Sequence, residues 1–332
     1  MSQLETRLKE TAERVNTALD GLLPAHGPFS GKTRALKDAL GATKYFNALA
    51  QEKTGDFWVN GRLFGKQHCH TAEDIERADL LVVIGCNPWM AHGFQAARNA
   101  VKEVEKAPDR RLLVIDPRRT EVAEMADLHL QLKPGTDAYL LASMLAIVLR
   151  RGAEARDFLA AHTTGFEEVA SALRAVPIDA WIAHADVPRA DVERAVDMIL
   201  AAAGMCVRVE LGVQQSRHST LNSYLEKLIY LLTGNFGKRG AMNIHTAFAS
   251  LGGGGGGGTR TSPVGGHRVI TGLIPANVIP EEILTDHPKR FRAMLIESAN
   301  PVHSLADSQR MRQALAALDL VVVIDVALTE TA

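Results

Sequence analysis

The apolar positions of this chain fall into two kinds of run. Some are short and continuous: "LLVVIG" (80–85), "RRLLVID" (110–116), "LHLQL" (128–132), "MCVRVELG" (205–212) and, near the end, "AMLIES" and "LDLVVVID". Apolar runs of this length, bounded by turn residues, mark strands buried on both faces of a parallel sheet. The others recur at helical spacing. They predict helices over 2–22, 34–50, 88–106 (closed by "APD") and 119–126. "PGTDAYLLASMLAIVLRRG" opens as a turn and becomes a strongly apolar helix that stops at Gly152. Residues 155–200 read as helical, with Asp157 and Asp191 near helix starts, and "STLNSYLEKLIYLLTG" follows the strand at 205–212. Seven consecutive glycines, Gly252 to Gly258, lie in a low-order segment, 246–268, that reads as a flexible loop. Alternating strands and helices predict an α/β fold with right-handed crossovers.

The pattern also repeats. Asn87-Pro88 follows one strand and is followed 29 residues on by Asp116 at the end of the next, then by Thr120-Glu121. Asn300-Pro301 is followed 25 residues on by Asp325, then by Thr329-Glu330, with the Thr four after the Asp in both copies. The first copy continues into a third strand; the second reaches Ala332 and reads as a chain cut in mid-unit. The expected architecture is therefore two pseudo-repeated, Rossmann-like dinucleotide-binding units with helices on both sheet faces. The expected division is 1–45 as a helical segment that joins the second unit, 46–245 as the first domain, 246–269 as the glycine-rich loop and 270–332 as an incomplete second unit.

The turn itself has a physical reading. A strand ending at Gly85 lets a backbone or a ligand approach where a Cβ would obstruct. Asn87 suits a helix N-cap and Pro88 the first helical turn, which together predict a helix N-terminus at a strand's carboxyl end, a seat for anions. Asp116 would accept hydrogen bonds from ribose hydroxyls or a base edge, and Arg118 and Arg119 would offset phosphate charge. The plain alternative is a capped structural helix and a surface turn. Two such units facing each other would bind one elongated ligand with two nucleotide ends, or two nucleotides.

Composition narrows the classes. With 37 basic and 38 acidic residues the net charge is −1, which gives no field for nucleic acid or a lipid surface. Three cysteines (Cys69, Cys86, Cys206) with no CxxC pair predict a reducing compartment and no iron–sulfur cluster held by this chain. The start is charged and helical, unlike a signal peptide, and the longest apolar segment, 138–149, is too short to span a bilayer. A cytoplasmic protein without membrane or nucleic-acid partners is expected. "GPFSGKT" (27–33) lacks the first glycine and the preceding strand of a phosphate loop and reads as a linker.

Six ordered motifs carry a family resemblance: "IGCNP", "VIDPRRTEVAEMADLHLQLKPGTDAYLLASML", "ELGVQQSRHS", "LLTGNFGKRGAMN", "IESANP" and "LDLVVVIDVALTETA". From about residue 45 to the end the chain resembles the molybdopterin oxidoreductases of the dimethyl-sulfoxide reductase and formate dehydrogenase type. "FWVNGRLFG" with "RFRAMLIESANP" leans toward formate dehydrogenases. The resemblance implies molybdenum or tungsten held by two molybdopterin guanine dinucleotides, two-electron chemistry on a small-molecule substrate, and an electron-transfer partner or complementary chain. It implies that Gly85, Asn87 and Pro88 lie by one pyrophosphate and that Asp116, Arg118 and Arg119 meet its ribose and guanine. Gly135, Thr136 and Asp137 would close over the base. Gly212, Gln214, Gln215 and His218, then Gly234 and Asn235, would lie near the pterin. Glu297, Asn300, Pro301 and Asp325 would repeat the arrangement for the second dinucleotide.

The chain departs from the family at its ends. The family's [4Fe–4S] domain and its closing barrel-like domain have no counterpart in this sequence, which resembles the middle third of an enzyme. The family's metal ligand lies upstream of the Gly-x-Asn-Pro turn. Cys69-His70 is the candidate, but only 15 residues separate Cys69 from Gly85, about half the family spacing. Arg260 is a candidate substrate-side arginine. The sequence is consistent with two functions: a formate-dehydrogenase-like oxidoreductase, and a truncated or split-enzyme chain that folds and binds nucleotide or a partner.

Overall fold

A computed structural model describes Lys44 and residues 46–67, 69–91, 93–244 and 260–332. The expected helix at 2–22, most of that at 34–50, and the hepta-glycine loop lie outside the described residues. The rest falls into two compact units, one within Glu52–Gly257 and one drawn from Met1–Gln51 and Gly258–Ala332.

In chain order, a single turn α1 (Leu49–Glu52) precedes α2 (Thr54–Phe64), the short strand β1 (Thr71–Glu73) and β2 (Leu80–Ile84). Then come α3 (Pro88–Ala91), α4 (Ala97–Lys106), β3 (Arg111–Ile115), α5 (Glu121–Glu124) and β4 (Leu128–Leu130). Five helices follow: α6 (Asp137–Arg150), α7 (Arg156–His162), α8 (Phe166–Arg174), α9 (Ile178–Ala185) and α10 (Arg189–Ala201). β5 (Met205–Val209), α11 (Leu211–Gln214), α12 (Ser219–Leu232) and β6 (Met242–Ile244) complete the larger unit.

Its sheet runs β4-β3-β2-β5, every pair parallel, with Leu80 opposite both Arg111 and Met205 and Ile84 opposite both Ile115 and Val209. All five residues of β2 are buried, as the unbroken apolar run required of a central parallel strand. α6 is buried along nearly its whole length and packs against α8, α9, α10 and α12. The antiparallel β1–β6 pair was not expected: strands of three residues leave too little periodicity to read.

Helix 88–106 is a correction. It breaks after Ala91 and restarts at Ala97, with Ala96 in the left-handed region at φ 53°. The helical stretch 155–200 is four separate helices, and Asp157 and Asp191 do lie in first turns.

The smaller unit contains α13 (Ile279–Leu284), β7 (Ala293–Glu297), α14 (Pro301–Ser304), α15 (Ser308–Ala316) and β8 (Leu320–Ile324). β7 and β8 pair in parallel with Glu297 opposite Ile324. Leu273, Ile279, Ile283, Val302, Met311 and Ala314 form its core, while Leu320, Val322 and Ile324 of β8 are 48%, 41% and 40% exposed.

Candidate functional site

The carboxyl ends of β2 and β5 meet through two glycines. Gly85, at φ 57°, donates its N–H to Ile115 O at 2.9 Å, and Gly212 donates to Gly85 O at 3.1 Å. A Cβ on Gly212 would lie 2.4 Å from Gly85 O, and one on Gly85 would lie 2.3 Å from a Val213 methyl. Close packing within the chain, against Val213 for Gly85 and against the Gly85 backbone for Gly212, requires both side chains to be absent whether or not a ligand binds.

Past this junction the chain turns through Cys86, whose thiol packs on Arg208 O and is pushed up by burial. Asn87 does not cap α3 through its side chain. It donates Nδ2 to Glu121 Oε2 at 2.6 Å, which fixes the amide's orientation and leaves Oδ1 buried without a hydrogen-bond partner. Its carbonyl accepts from Met90 and Ala91. Pro88 is buried at the head of α3 as expected, but a four-residue helix carries little macrodipole. Positive character near the turn comes from side chains: Arg98 and Lys102 lie over the Trp89 ring at 5.4 and 5.1 Å, and Arg118 and Arg119 are exposed.

Asp116 sits at the tip of β3, buried, with Oδ1 accepting from Arg118 N at 2.8 Å. Burial raises its pKa above the usual carboxylate range, and the Arg118 N–H only partly offsets this. Asp137, at the first position of α6, is also buried and raised by burial, with the charge of Asp116 adding to the effect. These two acceptors therefore sense one another. Gly135 is exposed, and Thr136 closes the loop by donating Oγ1 to Lys133 O at 2.6 Å.

Two residues beyond Asp137, the Tyr139 ring makes edge contacts with Trp181 (5.3 Å), His184 (4.6 Å) and the predicted site residue His218 (6.0 Å). Gln214 is buried at the end of α11 with Oε1 unpartnered, and Gln215 is exposed.

The smaller unit has a turn of the same make. Ser298, at φ 49°, donates its N–H to Ile324 O at 2.9 Å, as Gly85 does to Ile115. Asn300 donates Nδ2 to Glu330 Oε2 at 2.5 Å, as Asn87 does to Glu121. Here, however, Asn300 Oδ1 is satisfied by Thr331 Oγ1 at 2.7 Å, which also accepts from Val302 N at 3.2 Å. Pro301 is buried and Glu297 half-buried. Asp325, unlike Asp116, is exposed and accepts from the neighbouring Val326 N at 2.7 Å.

The remaining expected site residues have other surroundings. Gly234 and Asn235 lie at the opposite end of β5: Asn235 Oδ1 accepts from Met205 N at 3.1 Å and its Nδ2 bonds Thr233, so its amide is spent on starting the strand. Cys69 is buried with its thiol pushed up by burial, which disfavours a thiolate ligand, and its carbonyl accepts from Asn60 at 2.7 Å. His70 makes a ring contact with Phe57 at 5.3 Å. No group of three or more His, Cys, Asp or Glu able to hold a metal occurs among the described residues. Arg260 is exposed, its carbonyl tied to Val269 N across a turn.

Sequence reasoning missed the partners of the key asparagines. Glu121 and Glu330 stood in the repeat but only as spacing marks, and Thr331 was not singled out. Tyr139, Trp181 and His184 carried no signal beyond aromatic character on helices.

A family model described as molybdopterin oxidoreductase matches residues 10–332. The chain is 27% identical over 281 residues to the F420-dependent formate dehydrogenase subunit alpha of Methanocaldococcus jannaschii, covering 79% of this chain and 41% of that one. It is 27% identical over 282 residues to the nitrate reductase of Klebsiella oxytoca, covering 76% of this chain and 31% of that protein. The structure superposes on acetylene hydratase from Pelobacter acetylenicus with a TM-score of 0.75 at 19% identity, over 98% of this chain and 50% of the other, which speaks to fold alone. The chain thus spans less than half the length of these two relatives and half that of the superposed structure. No described helix is long and apolar enough to cross a membrane.

Proposed function

Because the chain belongs to the molybdopterin oxidoreductase family, we propose that it binds molybdopterin in its guanine dinucleotide form and serves formate-dehydrogenase-like redox chemistry. The observation that carries this reading is the recurrence, after β2 and after β7, of one turn: a left-handed residue, then Asn held by a Glu.

The residues present suit the group. Asp116 and Asp137 offer buried carboxylates to the N–H donors of guanine and to ribose hydroxyls. Arg118 and Arg119 offset pyrophosphate charge. Asn87 Oδ1 and Gln214 Oε1 are buried acceptors with no partner among the described residues, a costly state that a ligand N–H or an ordered water relieves. Glu121 holds the Asn87 amide in the one orientation that keeps this acceptor available. Gly85 and Gly212 keep the strand ends closed beneath the site. When bound, the group supplies a molybdenum or tungsten centre that exchanges two electrons with substrate. This chain's own residues bind and orient it; no residue here is assigned to proton transfer or to the metal.

The M. jannaschii relative is by name an alpha subunit, which favours a complementary chain and an electron-transfer partner for this protein too. Three free, buried cysteines fit a reducing compartment, so we place it in the cytoplasm.

The test is a pair of dye assays on protein from a host supplied with molybdate and tungstate. Formate-dependent reduction of oxidised viologen supports the formate reading. Nitrate-dependent oxidation of reduced viologen without any formate activity overturns it in favour of the other class of relative.

A further inference from the structure

The densest buried charge in the larger unit lies away from the strand-end turns. Lys227 on α12 is 2% exposed, Glu226 beside it 5%, and Asp56 on α2 7%. Lys227 Nζ is 2.6 Å from Asp56 Oδ1 and 2.5 Å from Glu226 Oε1. One cation serves two carboxylates inside a helix–helix interface. The same face of α2 holds the chain that follows it: Asn60 donates to Cys69 O at 2.7 Å and lies 3.5 Å from Asp56 Oδ2, and the Phe57 ring meets that of His70.

A dry interface tolerates one cation with one anion and disfavours a second, uncompensated carboxylate. We propose that Asp56, Lys227 and Glu226 form a pH-sensitive clasp: with Glu226 protonated, Lys227 pairs with Asp56 and holds α2 on α12, and when Glu226 ionises α2 loosens, carrying Cys69 and His70 with it. The proposal does not depend on the cofactor reading.

The neighbourhood singles out Glu226. It faces Lys227 and Tyr230 on its own helix, and Asp56 and Lys53 from α2 and the residue before it; Cys69, Lys66 and His70 act on the cluster from the segment after α2. Burial lifts Glu226 to about 7, with Lys227 pulling the other way. Burial also pushes Asp56 up, but the charge and hydrogen bond of Lys227 outweigh it and the carboxyl stays below its usual range. Lys227 is held above its usual value by the two carboxylates despite its burial. Glu226's folded value is raised, so its contribution is complete below the ordinary carboxylate range and is lost as pH rises through about 7.

Hydrogen exchange of the full chain, read by mass spectrometry from pH 6 to 9 and divided by the intrinsic rate at each pH, tests this. Peptides covering residues 54–64 should lose protection above about pH 7, by up to about tenfold per pH unit for one proton, while β2 peptides do not. Glu226→Gln should flatten that profile. A flat wild-type profile overturns the proposal, whatever the variant does. So does a slope that persists in Glu226→Gln, which would assign the response to His70 or another group. Alkylation of Cys69 in the wild-type protein, expressed relative to Cys86 and Cys206, gives a second reading: its rate should rise across the same window beyond thiol ionisation, and parallel profiles for all three cysteines contradict the clasp.

Discussion

Asn87 donates its side-chain amide to the Glu121 carboxylate at 2.6 Å, and Asn300 donates to Glu330 in the same way. Glu121 is held below its usual pKa first by its own backbone N–H and then by the Asn87 bond, and Glu330 first by the Asn300 bond. Each carboxylate points one amide, so each asparagine presents Oδ1 on its other side. The two turns differ in what meets that oxygen: Thr331 in one, and no hydrogen-bond donor among the described residues in the other.

Val122 stands six residues after Asp116, as Thr331 does after Asp325. A buried Val→Thr change ordinarily costs roughly 1–3 kcal/mol because the new hydroxyl loses water. Here it gains Asn87 Oδ1, so Val122→Thr should be neutral or stabilising in a urea titration. Thr331→Val should cost about 1 kcal/mol or more, since it strips a partner from both Asn300 Oδ1 and Val302 N. Equal losses for the two variants would contradict the comparison of the turns.

Substitution at the glycine junction should be severe and unequal. In Gly212→Ala the new Cβ meets backbone, Gly85 O at 2.4 Å, which cannot rotate away. In Gly85→Ala the nearest atom belongs to a side chain, though a left-handed φ of 57° adds strain of about 1–2 kcal/mol. Thermal unfolding should show both variants destabilised, Gly212→Ala by about 3 kcal/mol or more and Gly85→Ala by less.

Acid should weaken nucleotide binding at unusually mild pH. Asp116 and Asp137 both have raised folded values, through burial first. In the free protein their contribution to stability is therefore complete below the ordinary carboxylate range and fades as pH rises through the raised values. Guanine and ribose donors favour the ionised forms, so binding has the opposite sign. Affinity for guanosine diphosphate, measured by calorimetry, should fall as pH drops through that window. Asp137→Asn should remove most of the affinity at neutral pH; unchanged affinity would take Asp137 out of the site.

Much of this was legible in the chain itself. β2, β3 and β5 are continuous apolar runs, and parallel burial follows from that. The Asn–Glu pairing was latent in the Thr-Glu spacing, because a repeat preserves the residues that touch. Other features left no trace. The break between Ala91 and Ala97 rests on a left-handed alanine, a conformation that alanine does not advertise. Motif order could not say which end of β5 receives Asn235, and hydrogen bonding to Met205 N puts it at the start. The buried state of Lys227 carried no sequence signal, since its partner Asp56 lies 171 residues away and meets it only once α2 is docked.

Whether this chain holds guanine dinucleotides on its asparagine turns can be measured directly. Protein purified from a cofactor-proficient host should be hydrolysed in acid and assayed by mass spectrometry for guanine nucleotide and for molybdenum and tungsten. Two guanine nucleotides per metal atom, both depleted in Asp137→Asn, is the expected result. Stably folded protein with neither nucleotide nor metal would contradict it.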